Sequence, residues 1–144
     1  MSTDRSSILL AIPVFNEAAT IDRVLRRVQD FARDVLVVDD GSTDETPSLL
    51  ARHRVEVIRH GRNRGYGRAM QEILQRAEHD GYAWVITMDC DEQHEPAQIP
   101  NFVHAIEQGD ADVVSGSRYL RDDAGDDDAP AARRKVNESI TAEL

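Results

Sequence analysis

Residues 8–28 read ILLAIPVFNEAATIDRVLRRV, an apolar run followed by a helical repeat. The run Ile8–Val14 is continuous rather than alternating, which is typical of a strand buried on both faces. The following apolar residues recur at helical spacing, at Ile21, Val24, Leu25 and Val28. Thr20 stands where an N-cap is expected. A buried strand followed by an amphipathic helix is the unit of parallel α/β sheets.

The same alternation continues along the chain. Further strands are predicted at Val35–Val38, Val55–Arg59, Trp84–Met88 and Val113–Val114. Helices are predicted around Glu45–His53, around the apolar set Met70, Ile73, Leu74 and Ala77, and around the set Ile99, Phe102, Val103 and Ile106, which Gly109 should end. Right-handed crossovers then predict an α/β fold, a Rossmann-like and mostly parallel sheet with helices on both faces.

Composition excludes several classes of protein. The 144 residues carry a formal net charge of −10, which argues against a nucleic-acid binder with a basic face. The single cysteine, Cys90, excludes a disulfide scaffold and favours a cytoplasmic location. The polar segment Met1–Ser7 lacks the apolar centre of a secretion signal, and no apolar run is long enough to span a membrane. The sequence does not determine the oligomeric state.

Two nucleotide-binding signatures are absent. No G-x-x-x-x-G-K-[ST] loop occurs, and Lys135 is the only lysine. No glycine precedes Gly41, so the G-x-G-x-x-G turn of dinucleotide-binding domains is excluded after the first strand. In its place stands Pro13–Glu17 (PVFNE), where Asn16 and Glu17 are also compatible with a simple turn and a first-turn acid.

Acidic and turn residues follow three of the predicted strands. They are Asn16 and Glu17 after the first strand, Asp39 and Asp40 after the second, and Asp89 and Asp91 after the fourth. Because ligands of such sheets bind outside the carboxyl ends of the strands, these residues predict a single site.

The segment Asp89–Cys90–Asp91 is the strongest candidate. Two carboxylates at positions i and i+2 after a buried strand can converge on Mg²⁺ or Mn²⁺, which also accept diphosphate oxygens as ligands. The alternative is a solvated turn. His94 is either a ligand or a hydrogen-bond donor, and Cys90 should point the opposite way and pack inside.

The segment Asp39–Asp44 (DDGSTD) has two compatible interpretations. A carboxylate at Asp39 or Asp40 can accept hydrogen bonds from a nucleobase or from ribose hydroxyls. Gly41 would make the turn, and Ser42, Thr43 or Asp44 would cap the next helix.

Two further segments are phosphate candidates. Arg59–Arg68 combines arginines and glycines before a helix, and Ser117–Tyr119 follows the fifth predicted strand. Solvated loops explain both equally well. Beyond them, residues 121–144 contain an acidic stretch, Asp122–Asp128, and the start of another helix at Arg133. We therefore expect a core over residues 1–120 and a separate region, with an acidic loop and the start of a further helix, over residues 121–144.

Five motifs in this order resemble the family 2 glycosyltransferases of the GT-A fold, most of all the dolichyl- or polyprenyl-phosphate mannose or glucose synthases. The resemblance spans roughly Ile8–Tyr119, and its motifs are PVFNE, VVDDGSTD, NRGYG, MDCDEQHEP and GSRY, with Gln93–His94 pointing to the polyprenyl-phosphate branch.

The resemblance implies a role for particular residues. Phe15 and Glu17 would line the base and ribose pocket, Asp39 would hydrogen-bond the base, and Asp89, Asp91 and Gln93 would hold Mg²⁺ or Mn²⁺. Arg118, with Asp89 and Asp91, would serve catalysis, and Arg133 and Arg134 would meet phosphates. The remaining residues expected at the substrate are Pro13, Asn16, Asp40, Gly41, Ser42, Gly65 and Gly67.

The implied reaction transfers a sugar from a GDP- or UDP-linked donor to a polyprenyl phosphate with inversion. The acceptor phosphate is mostly a dianion at pH 7, since its second pKa is about 6, and therefore needs no general base. Because a polyprenyl acceptor is a lipid, the protein would contact the cytoplasmic face of a membrane. Residues 121–144 would be part of its acceptor region. The alternatives are a nucleotide-binding fragment without activity, transfer to a hydroxyl acceptor, a nucleotidyltransferase, and an acidic-pocket signalling receiver.

Overall fold

Four parallel strands form the sheet of this computed structural model, which describes residues 7–91 and 93–116. The strands are β1 (Ile8–Val14), β2 (Val35–Asp39), β3 (Glu56–Arg59) and β4 (Trp84–Thr87), in the spatial order β3-β2-β1-β4. Every residue of β1 after Ile8 is buried, as its continuous apolar run predicts. The edge strand β3 is largely exposed.

The helices are α1 (Ile21–Val28), α2 (Thr46–Leu50), α3 (Tyr66–Asp80) and α4 (Ile99–Gln108), with a 3₁₀ turn at Pro96–Gln98. Gly81 and Gly109 follow α3 and α4 with positive φ, so the predicted helix end at Gly109 is confirmed. Among the described helices none is long and apolar enough to cross a membrane.

Alternate side chains of the central strands form two cores, one on each face of the sheet. Leu10 and Ile12 pack with α1 on one face, and Leu9 and Ala11 pack with α3 on the other. The prediction of an α/β fold with helices on both faces is confirmed. All strand ends carrying the candidate residues meet at one edge, because the strands are parallel.

One local prediction was wrong, and another was right only in part. No strand forms at Val113–Val114 within the described part of the chain, and Val113 is 83 % exposed. Two β-branched residues are too short a run to gain the ladder of hydrogen bonds that stabilises a strand. Thr20 is the N-cap residue of α1, as predicted, but its hydroxyl makes no capping hydrogen bond and instead donates to the Cys90 carbonyl over 3.0 Å.

All of these elements belong to the unit Met1–Ala111. In the unit Asp112–Leu144, the described residues 112–116 have irregular backbone. The expected boundary at residues 120 and 121 lies outside the described residues.

Candidate active site

The loops that follow β1 and β2 are joined by side-chain hydrogen bonds. The Asn16 N–H donates to Ser42 Oγ and the Glu17 N–H to Thr46 Oγ1, both over 2.9 Å. In return, Asn16 Oδ1 accepts from the Thr43 N–H over 2.8 Å. The polar residues after the two strands therefore form one rigid rim, in which Ser42 and Asn16 already have structural partners.

Asn16 has a positive φ of 55°, which non-glycine residues seldom adopt. We expect Asn16→Ala to destabilise the protein by about 1–3 kcal/mol, because it removes an acceptor and a residue type that tolerates this conformation. Asn16→Gly restores the backbone freedom alone, so urea unfolding should place it between the wild type and the alanine variant. Equal stability of all three proteins would contradict this account of the rim.

Asp44 lies one residue before Glu45, the N-cap residue of α2, and its carboxylate accepts from the first N–H of the helix, so the predicted capping role is confirmed only in part. Its Oδ1 accepts from the Thr46 N–H over 2.9 Å, and its Oδ2 accepts from the Ala18 N–H over 3.1 Å. Burial would raise the pKa of Asp44, but the hydrogen bonds from Thr46 and Ala18 outweigh it and hold that pKa below its usual value.

Asp39 is fully buried at the end of β2. Its Oδ1 accepts from the Ser42 N–H over 2.9 Å, whereas no described group donates a hydrogen bond to its Oδ2. Arg59 Nε lies 3.3 Å from Oδ2 and supplies charge without hydrogen-bond geometry. A buried carboxylate oxygen with no donor is costly, so a ligand N–H that reached Asp39 Oδ2 would stabilise it; in this structure the oxygen is closed to solvent.

A cavity of about 630 Å³ lies at the ends of β2 and β3. Its lining residues are Gly41, Ser42, Thr43, Asp44, Arg59, His60 and Gly61. This volume falls within the range that is typical of small-molecule sites, about 300–1,000 Å³.

Asp40 is also buried, but its carboxylate is fully engaged within the protein. Oδ1 accepts from the His60 ring over 2.6 Å and from the Arg64 N–H over 2.8 Å. Oδ2 accepts from the Gly65 N–H over 2.8 Å. The contact of Asp40 and Gly65 with a substrate stays a prediction. In this structure the Asp40 carboxylate and the Gly65 N–H are hydrogen-bonded to each other.

Gly41 and Gly65 both have positive φ, of 77° and 92°. A Cβ at Gly41 would lie 2.3 Å from the Arg62 carbonyl carbon and 2.6 Å from the Asn63 nitrogen. Only glycine therefore lets the loop before α3 approach the end of β2 this closely. A Cβ at Gly67 would instead meet open space as far as the described residues show.

The turn after β4 brings three potential metal ligands together. One oxygen each of Asp89 and Asp91 and one ring nitrogen of His94 all lie within 4.8 Å of one another. Two half-exposed carboxylates and an imidazole are a donor set that Mn²⁺ accepts, and Mg²⁺ accepts its oxygens. The residues therefore fit a divalent cation.

Hydrogen bonds within the turn orient Asp91. Its Oδ1 accepts from the His94 ring over 2.8 Å, from the His94 N–H over 3.0 Å and from the Gln93 N–H over 3.1 Å. Burial opposes ionisation, but these bonds prevail and lower the pKa of Asp91. Cys90 is buried between the two aspartates, as predicted, and burial raises the pKa of its thiol to about 11.

Glu17 lies close enough to the acidic turn to feel its charge. Burial, followed by the negative charges of Asp91, Asp44 and Asp89, raises the pKa of Glu17, although a hydrogen bond with Thr20 opposes the shift. Phe15, which follows β1, is 43 % exposed and is accessible to a ligand. Pro13 is buried within β1.

Sequence reasoning missed Tyr66, whose hydroxyl lies 3.4 Å from Asp89 Oδ1. It also missed Thr20, whose hydroxyl bonds to the Cys90 carbonyl. Neither contact has a periodic signal, because each joins a loop or helix start to the turn after β4. Tyr66, the first residue of α3, lies in the segment Arg59–Arg68, whose arginines and glycines indicate phosphate binding and not a contact with the turn after β4.

Three arginines of the segment Arg59–Arg68 have partners inside the protein. Arg64 and Arg68 each lie 3.4 Å from Glu72 Oε1, and Arg59 donates to the Ser42 carbonyl over 3.3 Å. Their predicted contact with phosphate stays a prediction. Ser117, Arg118, Arg133 and Arg134 lie outside the described residues.

Comparison with known proteins identifies the family. The sequence model of "Glycosyl transferase family 2" matches residues 10–143. The chain belongs to this family. It is 31 % identical over 122 residues to a dolichol-phosphate mannosyltransferase of Pyrococcus furiosus, covering 79 % of this chain and 34 % of that protein. It is 34 % identical over 137 residues to an undecaprenyl-phosphate 4-deoxy-4-formamido-L-arabinose transferase of Sodalis glossinidius, covering 86 % and 40 %.

Solved structures share the GT-A fold with this family member. Glucosyl-3-phosphoglycerate synthase of Mycobacterium tuberculosis, in complex with Mn²⁺, UDP and glucosyl-3-phosphoglycerate, aligns with a TM-score of 0.59 at 24 % identity. The alignment covers 69 % of this chain and 39 % of that one. The chain spans between a third and about half of the length of the relatives it matches.

Proposed function

We propose that the protein transfers a sugar from a nucleoside-diphosphate sugar to a polyprenyl phosphate, with inversion at the anomeric carbon. The observation that carries the proposal is the convergence of Asp89, Asp91 and His94 in one turn of a family 2 glycosyltransferase. The names of the two polyprenyl-type relatives support the acceptor class.

Asp89 and Asp91 would hold Mg²⁺ or Mn²⁺, with Gln93 in the same turn as a further ligand. The cation would stabilise the negative charge that develops on the departing diphosphate. Tyr66 would orient Asp89 through its hydroxyl, which lies 3.4 Å from Oδ1. Three hydrogen bonds to Asp91 Oδ1 already fix the second carboxylate in place.

The nucleoside would occupy the cavity at the ends of β2 and β3. Asp39 Oδ2 lacks a hydrogen-bond donor among the described residues, so a base N–H would satisfy it. Phe15 is exposed beside the rim and would cover the base, and Glu17 would face the ribose. These assignments do not choose between GDP and UDP.

The acceptor chemistry follows from charge. A phosphate oxygen of the acceptor forms a bond to the anomeric carbon while the bond from that carbon to the donor's diphosphate oxygen breaks. The nucleoside diphosphate leaves with the electron pair. Because the phosphate monoester is already a dianion at neutral pH, the residues need to bind and orient it without removing a proton. Arg118, Arg133 and Arg134 are the proposed phosphate contacts.

A transfer assay tests this proposal. The full protein is incubated with Mn²⁺, labelled GDP- and UDP-sugars, and either a polyprenyl phosphate or the same polyprenol without phosphate. Label should enter the organic phase only with the phosphorylated lipid, and NMR of the product should show inverted anomeric configuration. Equal transfer to the free alcohol would contradict the acceptor assignment. Nucleotide binding without transfer would favour a nucleotide-binding protein without this activity.

A further inference from the structure

His60 is a buried histidine held between two carboxylates. It directly follows β3, and its side chain is 3 % exposed. Its Nδ1 lies 2.6 Å from Asp40 Oδ1, and its Nε2 lies 2.7 Å from Glu72 Oε2. Ionised carboxylates only accept hydrogen bonds, so the ring satisfies both partners only when both nitrogens carry a proton.

The first partner, Asp40, connects this histidine to the loop before α3. The Asp40 carboxylate also accepts from the Arg64 and Gly65 N–H groups, each over 2.8 Å. Gly65 immediately precedes Tyr66, the first residue of α3, whose hydroxyl lies 3.4 Å from Asp89 Oδ1. A continuous series of contacts therefore joins His60 to the acidic turn.

We propose that His60, in its doubly protonated form, is a positioning residue for donor binding: through Asp40 it holds residues 64–65 and thereby places Tyr66 against Asp89. This inference rests on the proposed function, because it assigns the device to the nucleotide and metal site. His60 itself does not contact that site.

The surrounding charges are consistent with an imidazolium at this position. Arg64 and Arg68 face Glu72 from the loop and from α3, and Asp40 faces the ring from the end of β2. Burial would lower the pKa of His60, but the hydrogen bonds that the ring donates to Asp40 and Glu72 outweigh it and raise that pKa. His60 in turn is the main cause that lowers the pKa of Glu72.

The sign of the pH effect follows. Because the folded-state pKa of His60 is raised, its contribution is complete below the unfolded value of about 6.5 and is lost as pH rises through the folded value. Above that pH, the neutral ring has a single N–H, so one of the two carboxylates loses its hydrogen bond. Binding of the nucleoside diphosphate by the wild type should therefore weaken as the pH rises through the folded-state pKa of His60.

Two variants separate positioning from simple packing. His60→Gln can donate to one carboxylate but turns its oxygen toward the other. Glu72→Gln lets a neutral His60 donate from Nδ1 to Asp40 and accept at Nε2 from the new amide. His104→Gln, on the exposed face of α4, is the matched control.

Calorimetry measures the affinity for UDP and GDP with Mn²⁺ between about pH 6 and about pH 9. We expect His60→Gln to weaken binding about tenfold or more at neutral pH, as loss of a supporting contact around a site does. Glu72→Gln should bind well and lose the alkaline decline, and His104→Gln should behave as the wild type. Unchanged affinity in His60→Gln, or the same alkaline decline in Glu72→Gln, would overturn the inference.

Amide exchange provides a readout that needs no nucleotide. After correction for intrinsic rates, protection of the Arg64 and Gly65 N–H groups should fall with the deprotonation of His60 in the wild type and not in Glu72→Gln. Protection of these two N–H groups that does not depend on the protonation state of His60 would overturn the inference. This protection pattern in a protein that binds no nucleoside diphosphate would instead overturn the proposed function and, with it, the assignment of His60 to donor binding.

Discussion

Asp91→Asn should reduce Mn²⁺-dependent sugar transfer by about 10²-fold or more while leaving the fold intact. The asparagine retains an Oδ1 that can accept the three hydrogen bonds from Gln93 and His94. The turn should therefore keep its shape and lose only the negative charge that a cation needs. Steady-state transfer assays measure the loss of activity, and calorimetric titrations measure the loss of Mn²⁺ affinity.

The matched control is Asp110→Asn, which removes the same charge at an exposed position beyond α4. It should leave transfer and Mn²⁺ affinity unchanged. A far-ultraviolet circular dichroism spectrum of Asp91→Asn should overlay that of the wild type. Full activity in Asp91→Asn would refute the role assigned to this carboxylate.

Gly41→Ala should produce the largest loss of stability, about 2–5 kcal/mol. The new Cβ would lie 2.3 Å from the Arg62 carbonyl carbon, a backbone atom that cannot rotate away. The positive φ of 77° adds a second penalty for any residue with a Cβ. Urea unfolding monitored by fluorescence gives the change in the free energy of unfolding.

Gly67→Ala serves as the control with the opposite sign. Gly67 lies in the first turn of α3, and among the described residues no atom outside its own helix backbone and chain neighbours lies within 4 Å of an added Cβ. Alanine there should stabilise the protein by about 0.5–1 kcal/mol, because it reduces the entropy of the unfolded chain. Similar destabilisation by both substitutions would show that the close approach at Gly41 is not the cause.

The fold could be predicted from the sequence because its signals are local. The continuous apolar run Ile8–Val14 and the helical spacing of Ile21–Val28 each describe a single element. The acidic residues after β2 and β4 lie at the same edge of the sheet because the parallel strands all end there. The burial of Cys90 follows from strand alternation continued past β4.

The contacts that complete the candidate site are long-range, and no periodicity encodes them. Tyr66 reaches Asp89 across 23 positions in sequence, and Thr20 reaches Cys90 across 70. The sequence predicts that His60 directly follows a strand. Its two carboxylate partners, Asp40 after β2 and Glu72 in α3, come together only in the folded chain. The missing strand at Val113–Val114 shows the converse, since two apolar residues do not specify a partner.

The most direct test of the central claim is a calorimetric titration of the wild-type protein with UDP and GDP, with Mn²⁺ and with a chelator in its place. The account predicts saturable binding of at least one nucleotide in the presence of Mn²⁺ and its loss with the chelator. Equal binding in both conditions, or binding of neither nucleotide with Mn²⁺ present, would contradict the claim that Asp89 and Asp91 hold a cation that tethers the donor.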